Sequence, residues 1–178
     1  MTIKKILLVN TNIEKFPYPV PPLGLCLLAS VLEKEYEVLI YDGVFDEGKT
    51  YLKTIEDFKP DVIGFSIRNV DNMVYDNRKY YVDDIDETFI KPTKKASQAI
   101  TILGGSGFSI FPKELMQQYD ADYGVIGEAE EILPVLLKHI KANTDVSQLK
   151  NVLTKNDFSK SSNSLISLGS ADKLVKAS

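Results

Sequence analysis

The stretch ITILGGSGFSIFP, residues 100 to 112, carries three glycines, Gly104, Gly105 and Gly107, directly behind a β-branched run. Backbone amides of a glycine loop can grip a phosphate where the loop runs straight into a helix N-terminus. Pro112 is expected to open the next helix, which leaves Gly107 about five residues short of it. The better reading is that Gly104 and Gly105 form a bare wall for a flat ligand, with a plain glycine turn as the alternative. In DVIGFSIRNVDN, Ser66 offers a hydroxyl at a strand tip and Arg68 a guanidinium just beyond it. Together they could bind a heteroatom and an anionic or amide oxygen; otherwise the serine caps the next turn and the arginine lies in solvent. In DYGVIGEAEEILP, Gly127 and Glu128 stand at another strand tip, while Glu130 and Glu131 favour the positive end of a helix.

Other candidates are weaker. NTNIEKFPYPVPPLGLCLLA has prolines at 17, 19, 21 and 22, reads as a rigid connection into a helix near Leu23, and lacks any G-x-G-x-x-G or Walker-type pattern. Asp83, Asp84, Asp86 and Glu87 suit a solvated helix start better than a metal. His139, the one histidine, falls near the end of the last helix, and Cys26 in an apolar helix is expected in the core. No nucleophile, base and orienting group occur in a catalytic arrangement, so no catalytic residue is assigned.

These residues need a scaffold that brings strand tips together. Unbroken apolar runs at Ile6 to Val9, Val38 to Tyr41, Val62 to Phe65, Ile100 to Leu103 and Tyr123 to Ile126 predict five strands buried on both faces. Helical spacing lies between them, at Leu23 to Lys34, Tyr51 to Phe58, Val82 to Ser97, Pro112 to Tyr119 and Ala129 to Lys141. Pro92 is expected to kink or split the third of these. The alternation predicts an α/β, Rossmann-like, doubly wound parallel sheet with ligands beyond the strands' carboxyl ends; the dinucleotide-type and flavodoxin-type strand orders are both open to it, and five strands favour the flavodoxin-like order 2-1-3-4-5. The loops to inspect begin at Asn10, Ser66, Gly104 and Gly127. Residues 1 to 145 form the expected domain, and the Ser-, Lys- and Asn-rich remainder, 146 to 178, a linker or truncated tail, partly disordered. The polar, tyrosine-bearing connection from Ile67 to Tyr81 is long enough to be functional or mobile.

Composition narrows the function. In 178 residues with a net charge of −4 the lysines are scattered, which argues against nucleic acid. No apolar run is long enough to cross a membrane, and the polar residues after the first strand do not suit a signal peptide. A single cysteine excludes any disulfide framework or cysteine-held cluster built from this chain alone and fits a reducing, cytoplasmic setting.

Taken together, KILLVN, PPLGLCLLASVLEKEYEVLIYD, PDVIGFSIRN, ITILGGSGFSIFPKEL and ADYGVIGEAEEILPVLL resemble the N-terminal cobalamin-binding domain of cobalamin-dependent radical S-adenosylmethionine enzymes, over residues 3 to 142. The resemblance implies a flavodoxin-like sheet whose strand tips hold the corrin ring and whose edge receives the nucleotide tail. It places Ser66, Gly104, Gly105 and Ser106 along the tail's channel, Gly127 and Glu128 on its far side, and Tyr18 to Pro22 below the ring. With Asn10 and Arg68 these are the expected cofactor residues. No D-x-H-x-x-G is present, so the resemblance implies cobalamin held without histidine on cobalt and with its tail base displaced. A C-x-x-x-C-x-x-C motif cannot be built from one cysteine. The iron–sulfur cluster and S-adenosylmethionine would therefore belong to a catalytic domain, a methyltransferase or related enzyme, absent from this chain and linked to it or acting in trans.

Two other classes compete. A flavodoxin-like electron carrier would need a hydroxyl-rich first loop, which Asn10-Thr11-Asn12 before four prolines matches poorly. A cofactor-free interaction domain would use the Ile67 to Tyr81 loop for docking. A phosphoacceptor receiver is disfavoured because Ser66 stands where an aspartate is required.

Overall fold

The computed structural model describes residues 1–15, 17–72, 76 and 79–157. Parallel strands β1 (Lys5–Asn10), β2 (Glu37–Asp42), β3 (Val62–Ser66), β4 (Ile100–Gly104) and β5 (Tyr123–Val125) stand in the expected order 2-1-3-4-5. The sheet has six strands, not five: β6 (Val152–Thr154) pairs antiparallel with β5 at the edge. Three residues are too few to show a period, so β6 is defined by its pairing with β5 and not by its own pattern. The segment expected to be a linker therefore contributes a strand in its first part, and the remainder from 158 lies outside the described residues.

Helices cover both faces. On one face α1 (Leu23–Leu32) and α8 (Ala129–Ala142) bury Leu25, Leu28 and Leu32, and Leu133, Leu136, Leu137 and Ile140, against Leu8, Val62, Ile102 and Val125. Cys26 is exposed, because the buried stripe of α1 passes through 25, 28, 29 and 32 and leaves 26 on the outer side. The other face carries α3 (Tyr51–Phe58) and α7 (Pro112–Tyr119), with α2 (Gly43–Asp46) leading from β2 toward α3. Tyr51 and Phe89, both 0% exposed, meet edge-on at 5.2 Å in that core.

The segment after Tyr81 is one continuous helical rod in which Pro92 breaks nothing. It runs as α4 (Val82–Ile85), a π-helical turn (Asp86–Ile90) and α5 (Lys91–Ala96), and the Lys91 amide bonds the Asp86 carbonyl five residues back. The wider turn falls just ahead of Pro92, where an α-helix would need the N–H that proline lacks and would drive its ring into the preceding turn. A second departure is α6 (Ser106–Ile110), which starts immediately after Gly105, so Gly107 is helical and Pro112 opens α7 instead.

Candidate functional site

The parallel register lays side chains of one face in rows across the sheet. Leu8, Gly64 and Ile102 form one row, and Asn10, Ser66 and Gly104 the next toward the carboxyl ends. Two positions that would carry side chains into the space beneath α1 and α8 are thus glycines. The result is a cavity of about 220 Å³ over Gly64 and Gly104, walled by Leu25 and Leu28 of α1, Val125 of β5 and Leu133 of α8. A methyl group on Gly104 would meet only the Val125 carbonyl, at 3.7 Å, so this glycine leaves room that a side chain would fill. Ser66 lines the same space, and its carbonyl accepts the Thr11 hydroxyl at 2.9 Å. Its own hydroxyl has no hydrogen-bond partner among the described residues and is available to a ligand.

The glycines after β4 divide into separate tasks. Gly105 has φ +100°, and a Cβ there would lie 2.6 Å from the Ile67 carbonyl oxygen; on Gly107 it would lie 2.7 Å from that of Arg68. Both positions let α6 close on the chain leaving β3. The amides of Gly107 and Phe108 donate to the Ile67 carbonyl at 2.9 and 3.2 Å, and that of Ser109 to the Gly105 carbonyl at 3.0 Å. These three amides are thus spent inside the protein and are not turned toward a ligand. Ser109 also reaches across the mouth of the cavity, donating from Oγ to the Gly105 carbonyl at 3.0 Å and accepting the Gly127 amide at 2.9 Å.

The structure gathers Ser66, Gly104, Gly105, Gly127 and Glu128 around this cavity, Glu128 exposed at the start of α8 with no capping bond from its side chain. The other expected residues lie elsewhere. Asn10 is buried and committed to the Asp42 carboxylate at 2.8 Å and the Asn12 amide at 3.2 Å. Ser106 is exposed and bonds the Arg68 carbonyl at 3.3 Å, and the Arg68 side chain is in solvent. Tyr18 is 79% exposed, and Pro22 lines a separate open groove with Val20, Val44 and Phe45. His139, near the far end of α8, faces the Thr144 hydroxyl at 3.0 Å. Sequence reading missed Gly64, Gly24 and Glu130 as lining residues and Ser109 as the tie between loops. Gly64 carried a signal, since it precedes Ser66 by two and so shares its face.

Loops at the carboxyl ends of the strands are braced by buried phenols of the opposite face. Tyr81 donates to Glu14 at 2.8 Å, linking the first loop to the third, and burial followed by that carboxylate pushes its phenol up to about 12. Tyr41, likewise pushed up to about 12 by burial and then by Asp46, donates to the Asp46 carboxylate. Burial opposes ionisation of Asp46, yet the Thr50 and Tyr41 hydroxyls with the Thr50 and Gly48 amides outweigh it and hold the carboxyl near 2. Among the described residues no group of three or more His, Cys, Asp or Glu side chains is placed to hold a metal, and no helix is long and apolar enough to cross a membrane.

Residues 9–137 match the B12 binding domain family. The chain belongs to that family. It is 27% identical over 133 residues to the tryptophan 2-C-methyltransferase of Streptomyces laurentii, covering 72% of this chain and 22% of that enzyme. The radical S-adenosylmethionine methyltransferase TsrM of Kitasatospora setae, solved with tryptophan and an S-adenosylmethionine analogue, superposes with a TM-score of 0.77 at 30% identity, covering 85% of this chain and 28% of TsrM. The cobalamin-dependent radical enzyme OxsB, solved with aqua-cobalamin and S-adenosylmethionine, shares the fold at TM-score 0.66 and 22% identity, over 84% of this chain and 20% of OxsB. The B12-binding chain thus spans less than a third of each relative. The expected resemblance to the cobalamin-binding domain of radical S-adenosylmethionine enzymes is borne out, and the expected cofactor is the one that gives the family its name.

Proposed function

We propose that this B12-binding chain holds cobalamin, with no histidine on cobalt and the tail base displaced, and presents it to a radical S-adenosylmethionine catalytic domain, a methyltransferase in the manner of TsrM, either in the same longer polypeptide or in trans. The observation that carries this reading is the cavity over Gly64 and Gly104: an apolar hollow at the carboxyl ends of parallel strands, opened by missing side chains and holding one free hydroxyl at Ser66. The residues fit the flat base of a cobalamin tail, which needs close walls and few polar partners. Ser66, Gly64, Gly104, Gly105 and Gly127 would hold the tail, and the exposed first loop around Tyr18 to Pro22 would face the ring. When bound, methylcobalamin supplies a transferable methyl group on cobalt. The chain's own residues bind, orient and keep water from the tail; none of them takes part in bond making. TsrM has also been solved with cobalamin and a [4Fe-4S] cluster, and this chain's single cysteine leaves such a cluster to another domain. A functional unit that takes in the sheet through β6 and a reducing, cytoplasmic setting complete the proposal.

Incubating the purified chain with hydroxocobalamin, passing it through a desalting column and recording its visible spectrum tests the reading. Cobalamin should co-elute at about one equivalent. A colourless protein would refute the proposal, and retention of a flavin in its place would favour an electron carrier.

A further inference from the structure

We propose that the cavity selects the lower base of its corrinoid, taking cobamides with an apolar benzimidazole-type base and discriminating against those with a purine. This deepens the cobalamin reading and rests on it. The walls meeting a buried base are the side chains of Leu8, Leu25, Leu28, Ile102, Val125 and Leu133, all aliphatic. The polar side chains that line the cavity are few. Ser66 offers one hydroxyl, while Glu128 stands just ahead of α8 in solvent and Glu130 is half-buried on its first turn.

Dimethylbenzimidazole and adenine are both flat bicycles of similar size, so shape separates them little. Polarity separates them. The six-membered ring of the benzimidazole ends in two methyl groups that an aliphatic wall accepts and water does not. Adenine presents an exocyclic amine and further ring nitrogens, which lose their water on entry, and one serine hydroxyl cannot satisfy them all. Among the nearby backbone amides, those of Gly107, Phe108, Ser109 and Gly127 are already bonded within the protein. Apolar pockets reject a polar isostere by about a hundredfold at most. The expected preference is therefore about tenfold to a hundredfold.

The test titrates the full 178-residue wild-type chain with hydroxocobalamin, the adenine-based cobamide and cobinamide, which lacks the nucleotide tail, and follows binding by visible absorbance and calorimetry. The proposal expects hydroxocobalamin to bind at least tenfold more tightly than the adenine analogue, which should bind close to cobinamide. Equal affinity for the two complete cobamides, or tighter binding of the adenine form, overturns the selectivity and leaves the cobalamin reading intact. Equal affinity for all three, cobinamide included, also overturns it, because the tail would then lie outside the cavity. Binding of none of them removes the cobalamin reading and the selectivity together.

Discussion

Ser109 fastens Gly127 to the far side of the cavity mouth: its Oγ accepts the Gly127 amide at 2.9 Å while donating to the Gly105 carbonyl at 3.0 Å. Helix α6 is itself seated on β3 through the Ile67 carbonyl, so this one hydroxyl passes the position of β3 and β4 on to the loop ahead of α8. Replacing it leaves an amide unpaired and frees one wall of the site.

Ser109→Ala is accordingly expected to weaken hydroxocobalamin binding about five- to tenfold while leaving cobinamide affinity within about twofold, the size of one lost hydrogen bond. Calorimetric titration of both ligands checks this. An equal loss for both would assign Ser109 a role in the general fold alone.

The neighbouring glycines should respond in opposite ways. Gly107→Ala forces a methyl to within 2.7 Å of the Arg68 carbonyl oxygen and is expected to cost about 1–3 kcal/mol, read as a lower urea midpoint. Gly104→Ala, whose nearest neighbour would be 3.7 Å away, should leave that midpoint almost unchanged.

Much of this was legible before any coordinates. Long apolar runs for β1, β3 and β4 and the sustained stripe of α8 fix a parallel sheet, and the strand tips then locate Ser66, Gly104 and Gly127. What escaped depended on contacts distant in sequence. β6 exists through its pairing with β5, α6 is set by the closeness of its backbone to Ile67, and the π turn before Pro92 answers a local clash that periodicity does not register. Asn10 looked available at a strand tip, but Asp42 stands directly beside it in the register of β1 and β2 and takes its amide.

Histidine has no part in holding cobalt on this account. His139 is placed at the end of α8 against Thr144, away from the cavity. Electron paramagnetic resonance of the reduced, cob(II)alamin-loaded chain should show cobalt hyperfine structure without nitrogen superhyperfine splitting, and His139→Ala should give the same spectrum. A nitrogen triplet that disappears in His139→Ala would contradict the absent histidine, and one that persists would contradict the displaced tail base.

Asp46 ties pH to stability. Its folded value near 2 lies below the ordinary 3.8, so its contribution is fully present above about pH 4 and is lost as pH falls toward 2. Asp46→Asn should lower the urea midpoint at pH 7 by an amount equivalent to about 1 kcal/mol, since this partly exposed carboxylate is screened by solvent. The difference between variant and wild type should shrink between pH 4 and pH 2.

The most direct test of the site is to fill it. Gly104→Val would add a Cβ whose one neighbour is the Val125 carbonyl, at 3.7 Å, and two further methyl groups to fill the adjoining cavity, so circular dichroism and the urea midpoint should stay near those of the wild type. Titrated side by side with hydroxocobalamin, the wild type is expected to saturate at one equivalent and Gly104→Val to bind at least tenfold more weakly; equal binding by the two proteins would contradict the cavity as the seat of the cobalamin tail.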